Sequence, residues 1–127
     1  MERHRISSGG AYEPIFGYCR AVRVGEHVFV AGTAPAMPDG ADPPADSYGQ
    51  TRRCFEIIGA ALVEAGSGFE DVVRTRMYIT PAADFDEVGR AHGEIFRDIR
   101  PVNTTVIVAA LVDPRWLVEI EVDAIVA

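Results

Sequence analysis

The chain contains no lysine, and all 12 of its basic residues are arginine. A lysine Schiff base is thereby excluded, and with it the usual attachment of pyridoxal phosphate. Cysteine is nearly as scarce. Cys19 and Cys54 lie far apart and form no CxxC or CxxxH group, so the reading is two free thiols, buried as small hydrophobes in a reducing compartment. His4 and His27 have no partners at ligand spacing, so neither a metal nor any other cofactor is expected. No apolar run reaches the ~20 residues needed to cross a bilayer, and no membrane partner is expected. The only adjacent arginines are Arg52-Arg53, against 19 acidic residues and a net charge of −7. Nucleic-acid affinity rests on neutralising phosphates, so this balance argues against a nucleic-acid partner. Met1-Glu2-Arg3-His4-Arg5 leads into Ser, Gly and Pro, with no hydrophobic segment of the signal-peptide kind, and a cytoplasmic location is expected. On that expectation the glycosylation sequon Asn103-Thr104-Thr105 is set aside.

What is present fits one domain over 1–127: the length is near the commonest domain size, and 48% of residues are hydrophobic against 24% charged. Residues 1–16 read as an N-terminal extension. Pro35 to Ala45, with four prolines and an Asp-Gly step, reads as a surface loop. Before it, Ala21 to Val24 and Val28 to Ala31 form a predicted hairpin around Gly25-Glu26. After it, Asp46 or Ser47 caps a predicted helix to about Ala65, with Tyr48, Thr51, Phe55, Ile58 and Leu62 as its buried stripe and Gly66-Ser67-Gly68 as its stop. Val72 to Ile79 alternates, with Val73, Thr75, Met77 and Ile79 on one face and Arg74, Arg76 and Tyr78 on the other. Asp84 caps a second helix to about Arg97, with a stripe of Phe85, Val88, His92, Ile95 and Phe96. Gly89 and Gly93 within it predict close packing against a sheet. Thr104 to Leu111 and Trp116 to Val126 are strongly β-prone, and Val112-Asp113-Pro114-Arg115 joins them as a predicted hairpin.

The order ββαβαββ describes an α+β fold: two crossovers make the sheet mixed, with both helices on one face. The other face still carries apolar side chains from several strands. In so small a chain another subunit is the economical cover.

The ordered set of Gly17-Tyr18-Cys19-Arg20-Ala21-Val22, Val28-Phe29-Val30-Ala31-Gly32, Gln50-Thr51, Ala65-Gly66, Asp71-Val72-Val73-Arg74-Thr75, Asp84-Phe85-Asp86-Glu87-Val88, Arg100-Pro101, Val108-Ala109-Ala110-Leu111 and the closing VEIEVDAIVA resembles the RidA (YjgF-like) family of enamine and imine deaminases. The resemblance implies a chorismate-mutase-like sheet assembled as a barrel-cored homotrimer, with small-molecule clefts between subunits. It also implies a cleft lined by Tyr18, by the backbone at Gly32 and by Glu119, the last positioning the water that attacks an imine carbon. The family's Pro-Ala-Arg stands here as Pro101-Val102-Asn103. Asn103 therefore occupies the place of the arginine that grips a substrate carboxylate, and a charge-assisted, two-pronged clamp is lost.

Arg20 is one replacement for that clamp, since ideal alternation puts it on the strand face of Tyr18; the other reading is a solvent-exposed arginine. Glu119 and Glu121 share a face, a pattern that serves either acid/base chemistry or simple solvation. The motif assigns the cleft to Glu119 and leaves Glu121 solvated. Thr105, where many relatives have cysteine, can hydrogen-bond a ligand. His92 reads as a packed histidine, Cys19 as a buried structural thiol, and Trp116 as a pocket rim or a packing residue. Two functions follow: a divergent hydrolase or deaminase using Glu119 and a water on a small imine, enamine or related carbonyl compound, or a trimeric small-molecule binder without chemistry. Endoribonuclease or translation-inhibitor activity, attached to the family by name, is disfavoured by the acidic charge. Hydrolysis of a classical 2-imino acid is disfavoured by Asn103.

Overall fold

A computed structural model describes residues 2–127. Its elements are β1 (Arg3–Ile6), α1 (Tyr12–Phe16), β2 (Ala21–Val24), β3 (His27–Thr33), α2 (Ser47–Glu64), β4 (Val72–Ile79), α3 (Phe85–Phe96), β5 (Val102–Ile107) and β6 (Val118–Ile125). From β2 onward this is the predicted ββαβαββ order. The six strands form one sheet in the order β1-β2-β3-β6-β4-β5. β6 pairs antiparallel with both β3 and β4, while β4 and β5 are parallel. The sheet is therefore mixed, and α2 and α3 are its two crossovers.

Alternation sets the core. Val118, Ile120, Val122 and Ala124 of β6 are all buried, as are Val28 and Val30 of β3 and Thr75, Met77 and Ile79 of β4. These side chains meet the stripe of α2, whose buried residues include Thr51, Cys54, Phe55, Ile58, Ala61 and Leu62. The helix starts because the Asp46 side chain accepts from the Gly49 amide at 2.7 Å. It ends at Gly66, whose φ of +80° carries the chain out of the helix. Phe55 then centres an aromatic cluster, meeting Phe69, Phe96 and the His92 ring edge-on at 5.4–6.1 Å.

Several expectations fail on tertiary grounds. Residues 1–16 are more than an extension: β1 adds an antiparallel edge strand to β2. Glu13, only 4% exposed, accepts from the Ser7 and Ser8 hydroxyls and from the Ser8 and Gly10 amides, tying this segment to α1. The hairpin of Thr104 to Leu111 with Trp116 to Val126 does not form. β5 pairs only with β4, and β6 inserts between β3 and β4, where its alternate apolar residues are covered by α2. Trp116 consequently sits in the connection before β6. A register shift at Val72/Arg74 turns Val73 outward and buries Val72 in its place. Phe85 is exposed at the start of α3, and Cys19 is half-buried. The close packing expected of Gly89 and Gly93 is absent, since a Cβ at either would meet nothing within 4 Å in this chain.

The uncovered face carries apolar side chains from several strands, as expected. Phe29, Val102, Val106 and Ile125 are exposed on it, but its centre is an ionic ladder. Arg74 and Arg76 approach Asp123 at 3.8 and 3.4 Å, and Arg76 approaches Glu121 at 3.8 Å. No helix among the described residues is long and apolar enough to cross a membrane.

Candidate functional site

All the sequence-predicted site residues except Tyr18 fall into two separate groups. The first forms where β3 bulges. Between Val30 and Thr33, two residues of β3 oppose one of β6. This bulge frees the carbonyl of Gly32, which accepts from Arg20 Nη2 at 2.7 Å. It also brings Gly32 against Glu119: a Cβ on Gly32 would lie 2.6 Å from Glu119 Oε2, so only glycine leaves the carboxylate where it is. Burial pushes the Glu119 carboxyl above its ordinary value. The positive charge of Arg20 opposes that rise, and the neighbouring Glu121 adds to it. A carboxyl held this way suits proton transfer near neutral pH better than an exposed one does.

Arg20 does not share a strand face with Tyr18, because β2 begins at Ala21. Tyr18 instead follows Gly17, the left-handed cap of α1, and its ring is half-exposed with no hydroxyl partner among the described residues. Arg20 is not a solvent-facing side chain either. Its Nε is buried without a partner, and one arm is committed to Gly32. Its positive charge opposes the rise of the Glu119 carboxyl, and its Nη2 bonds the carbonyl at the bulge. Glu121 is engaged as well: it accepts a short hydrogen bond from the Tyr78 hydroxyl and lies beside Arg76. The hydrogen bond to Glu121 raises the Tyr78 phenol, so it stays protonated.

The second group lies two strands away, on the opposite face. Asn103 and Thr105 pair with Thr75 and Met77, residues of the helix-covered face, whereas Glu119 pairs with Tyr78 on the uncovered one. Asn103 Nδ2 donates to Thr75 Oγ1 at 2.9 Å, and Thr105 Oγ1 donates to Asn103 Oδ1 at 2.9 Å. Thr75 Oγ1 is also 2.8 Å from His92 Nε2. Burial holds His92 below its ordinary value, hence neutral near pH 7, and it packs on Phe55 and Phe96 as the sequence suggests. Thr75 was legible only as a core position; nothing in the sequence joins it to Asn103.

Neither thiol is placed for nucleophilic work. Burial pushes the Cys54 thiol far above its ordinary value, and Cys19 Sγ donates to the Ala21 carbonyl at 3.3 Å. Among the described residues no three His, Cys, Asp or Glu side chains gather as a metal-ligand set.

Comparison with known proteins agrees with this frame. Residues 9–126 match the family described as Endoribonuclease L-PSP. The chain is similar to a protein of Streptomyces coelicolor, 42% identical over 120 residues that cover 94% of this chain and 90% of the other. It is 31% identical over 111 residues to TdcF of Escherichia coli, named as a candidate reactive intermediate deaminase, with 85% and 84% of the two chains covered. Among solved structures it resembles Rv2704 of Mycobacterium tuberculosis, a member of the YjgF/YER057c/UK114 family. That match has a TM-score of 0.90, 45% identity and 98% and 100% coverage. It also resembles E. coli TdcF with bound serine, at a TM-score of 0.81, 27% identity and 97% and 94% coverage. With its six-stranded mixed sheet, its ββαβαββ core and a match over residues 9–126, this chain belongs to the RidA (YjgF-like) family.

Proposed function

We propose that this chain assembles as a homotrimer whose inter-subunit clefts hold a small molecule, and that Glu119 positions a water there to hydrolyse a small imine, enamine or related carbonyl compound. The carrying observation is the division of the site: Glu119 and Gly32 stand on one face of the sheet, with Arg20 bonded to the Gly32 carbonyl, and Asn103 and Thr105 stand on the other. A pocket using both groups needs the second group from a neighbouring copy. The exposed apolar residues at the rims of the uncovered face, Phe29, Val106 and Ile125, favour such contact. The raised Glu119 carboxyl supports an acid/base role.

The reaction differs from that of a carboxylate-gripping relative. Asn103 brings no charge, and part of its hydrogen-bonding capacity is spent on Thr75 and Thr105. A 2-imino acid would enter with its carboxylate unclamped. Ribonuclease activity is not carried over with the family's name, because a net charge of −7 opposes binding of a phosphate backbone.

The test is ammonia release from 2-aminoacrylate, formed in situ from serine by a dehydratase, beside release from an uncharged imine. We expect slow turnover of 2-aminoacrylate relative to an Arg-containing relative, faster turnover of the uncharged imine, and loss of both in Glu119→Gln. Turnover of 2-aminoacrylate equal to that of the Arg-containing relative overturns the substrate assignment. Unchanged hydrolysis in Glu119→Gln removes Glu119 from the chemistry, and absence of hydrolysis in the wild type leaves a binding protein. Light scattering at micromolar concentration reads the assembly, and a monomeric mass contradicts the trimer.

A further inference from the structure

The chain His92–Thr75–Asn103–Thr105 links a packed histidine to the exposed edge strand. Its hydrogen count can be closed. The amide nitrogen of Asn103 only donates, so Thr75 Oγ1 is an acceptor in their 2.9 Å contact. Thr75 is 0% exposed, and its hydroxyl has one other partner among the described residues, His92 Nε2 at 2.8 Å. A hydroxyl has one hydrogen to give. If Nε2 carried a proton, Thr75 would accept twice and its own hydrogen would be buried with no acceptor. The arrangement that satisfies every group has Nε2 bare, the Thr75 hydrogen on it, and the ring proton on Nδ1.

The consequence reaches Asn103. The Asn103 nitrogen also faces the Thr75 carbonyl at 3.5 Å, which can only accept, so with the Thr75 hydrogen committed to His92 both oxygens of Thr75 call for the amide nitrogen inward. The amide oxygen then lies beside Thr105, whose hydroxyl donates to it at 2.9 Å. We propose that His92 and Thr75 are positioning residues that lock the Asn103 amide in this orientation, giving the edge of the cleft the recognition pattern of an uncharged carboxamide-bearing small molecule. Outward there remain one amide N–H as donor, held inward only by the Thr75 carbonyl at 3.5 Å, and the second lone pair of Asn103 Oδ1 and the lone pairs of Thr105 Oγ1 as acceptors. A carboxamide, with both a C=O and N–H groups, complements that set. A carboxylate has only acceptors and meets two oxygens and a single N–H, with no cation in the group. The ligand class rests on the proposed cleft, whereas the orienting relay does not depend on it.

The relay is read first on the full-length protein without ligand. Long-range proton–nitrogen correlation spectra should show His92 Nε2 unprotonated and Nδ1 carrying the proton. A protonated Nε2 overturns the relay whatever the cleft binds. The ligand class is read by titrating pyruvamide and pyruvate while following the Asn103 side-chain amide. Pyruvamide should bind at least about tenfold tighter, Thr75→Val should erase the preference, and Thr75→Ser should restore it by returning the hydroxyl. Equal binding of the two probes, binding of neither, or a preference that survives in Thr75→Val overturns the assignment. If both probes perturb Asn103 without touching the Glu119 signal, the relay stands and the shared cleft fails.

Discussion

Gln50 offers a quantitative test of how α2 holds the site's framework. It is 2% exposed, and its side chain spans three separate segments. Nε2 donates to the carbonyls of Pro44 and Arg115 at 2.9 and 3.0 Å, and Oε1 accepts from the Leu117 amide at 2.8 Å. The Pro-rich loop, the β5–β6 connection and the entry to β6 are thus fastened to one turn of helix. Gln50→Ala deletes all three bonds. At about 1 kcal/mol net for each, with the Leu117 N–H left buried beside a void, the loss should be about 3–4 kcal/mol. Gln50→Met keeps the volume and loses the bonds, so it should retain most of that loss. Gln50→Glu keeps the acceptor for Leu117 but sets a carboxylate oxygen against two carbonyls. It should be at least as harmful at neutral pH and recover partly in acid, where the protonated group can donate again. Urea unfolding followed by circular dichroism measures the series, at several protein concentrations because assembly adds to apparent stability. A loss below about 1 kcal/mol in Gln50→Ala, or a wild-type midpoint in Gln50→Met, would refute the reasoning.

Two further outcomes concern Glu119. Its folded carboxyl lies above the ordinary value, so the native state favours the neutral acid and stability falls as pH rises through that window. Glu119→Gln should therefore be more stable than wild type at neutral pH. The gain should be about half a kcal/mol or less, because the group is only partly buried, and should vanish below about pH 4.3; thermal melts across pH read it, and a gain confined to acid would contradict the sign. Gly32→Ala should move the same carboxylate without removing it. The new Cβ would begin 2.6 Å from Oε2, and the flexible end of Glu119 can retreat, so stability should change by less than about 1 kcal/mol. Any hydrolytic rate should drop by as much as about 100-fold, and an undiminished rate would place Glu119 away from the reacting atoms.

Local chemistry made α2 readable: a capping aspartate, a stripe at three- and four-residue steps, and a glycine stop leave one solution. The same holds for the β2–β3 turn and for Arg74, Arg76 and Tyr78 facing away from the core. The resemblance picked out Gln50-Thr51, but only folding gave the reason, since the partners of Gln50 come from residues 44, 115 and 117. Sequence also marked Asn103 as the departure from the family pattern. It could not show what that residue touches.

What the sequence by itself determined is the list of elements, the alternation that buries one face of each strand, and the loss of charge at Asn103. All are local properties of residue type and spacing. Only the tertiary structure decided that β6 runs between β3 and β4 rather than back along β5, that residues 3–6 join the sheet, and that the site residues divide between its two faces. Strand partners are chosen by which apolar faces can be covered together, across separations that no local pattern encodes. The bulge that sets Gly32 against Glu119 and the hydroxyl that ties Asn103 to His92 arise from that same choice.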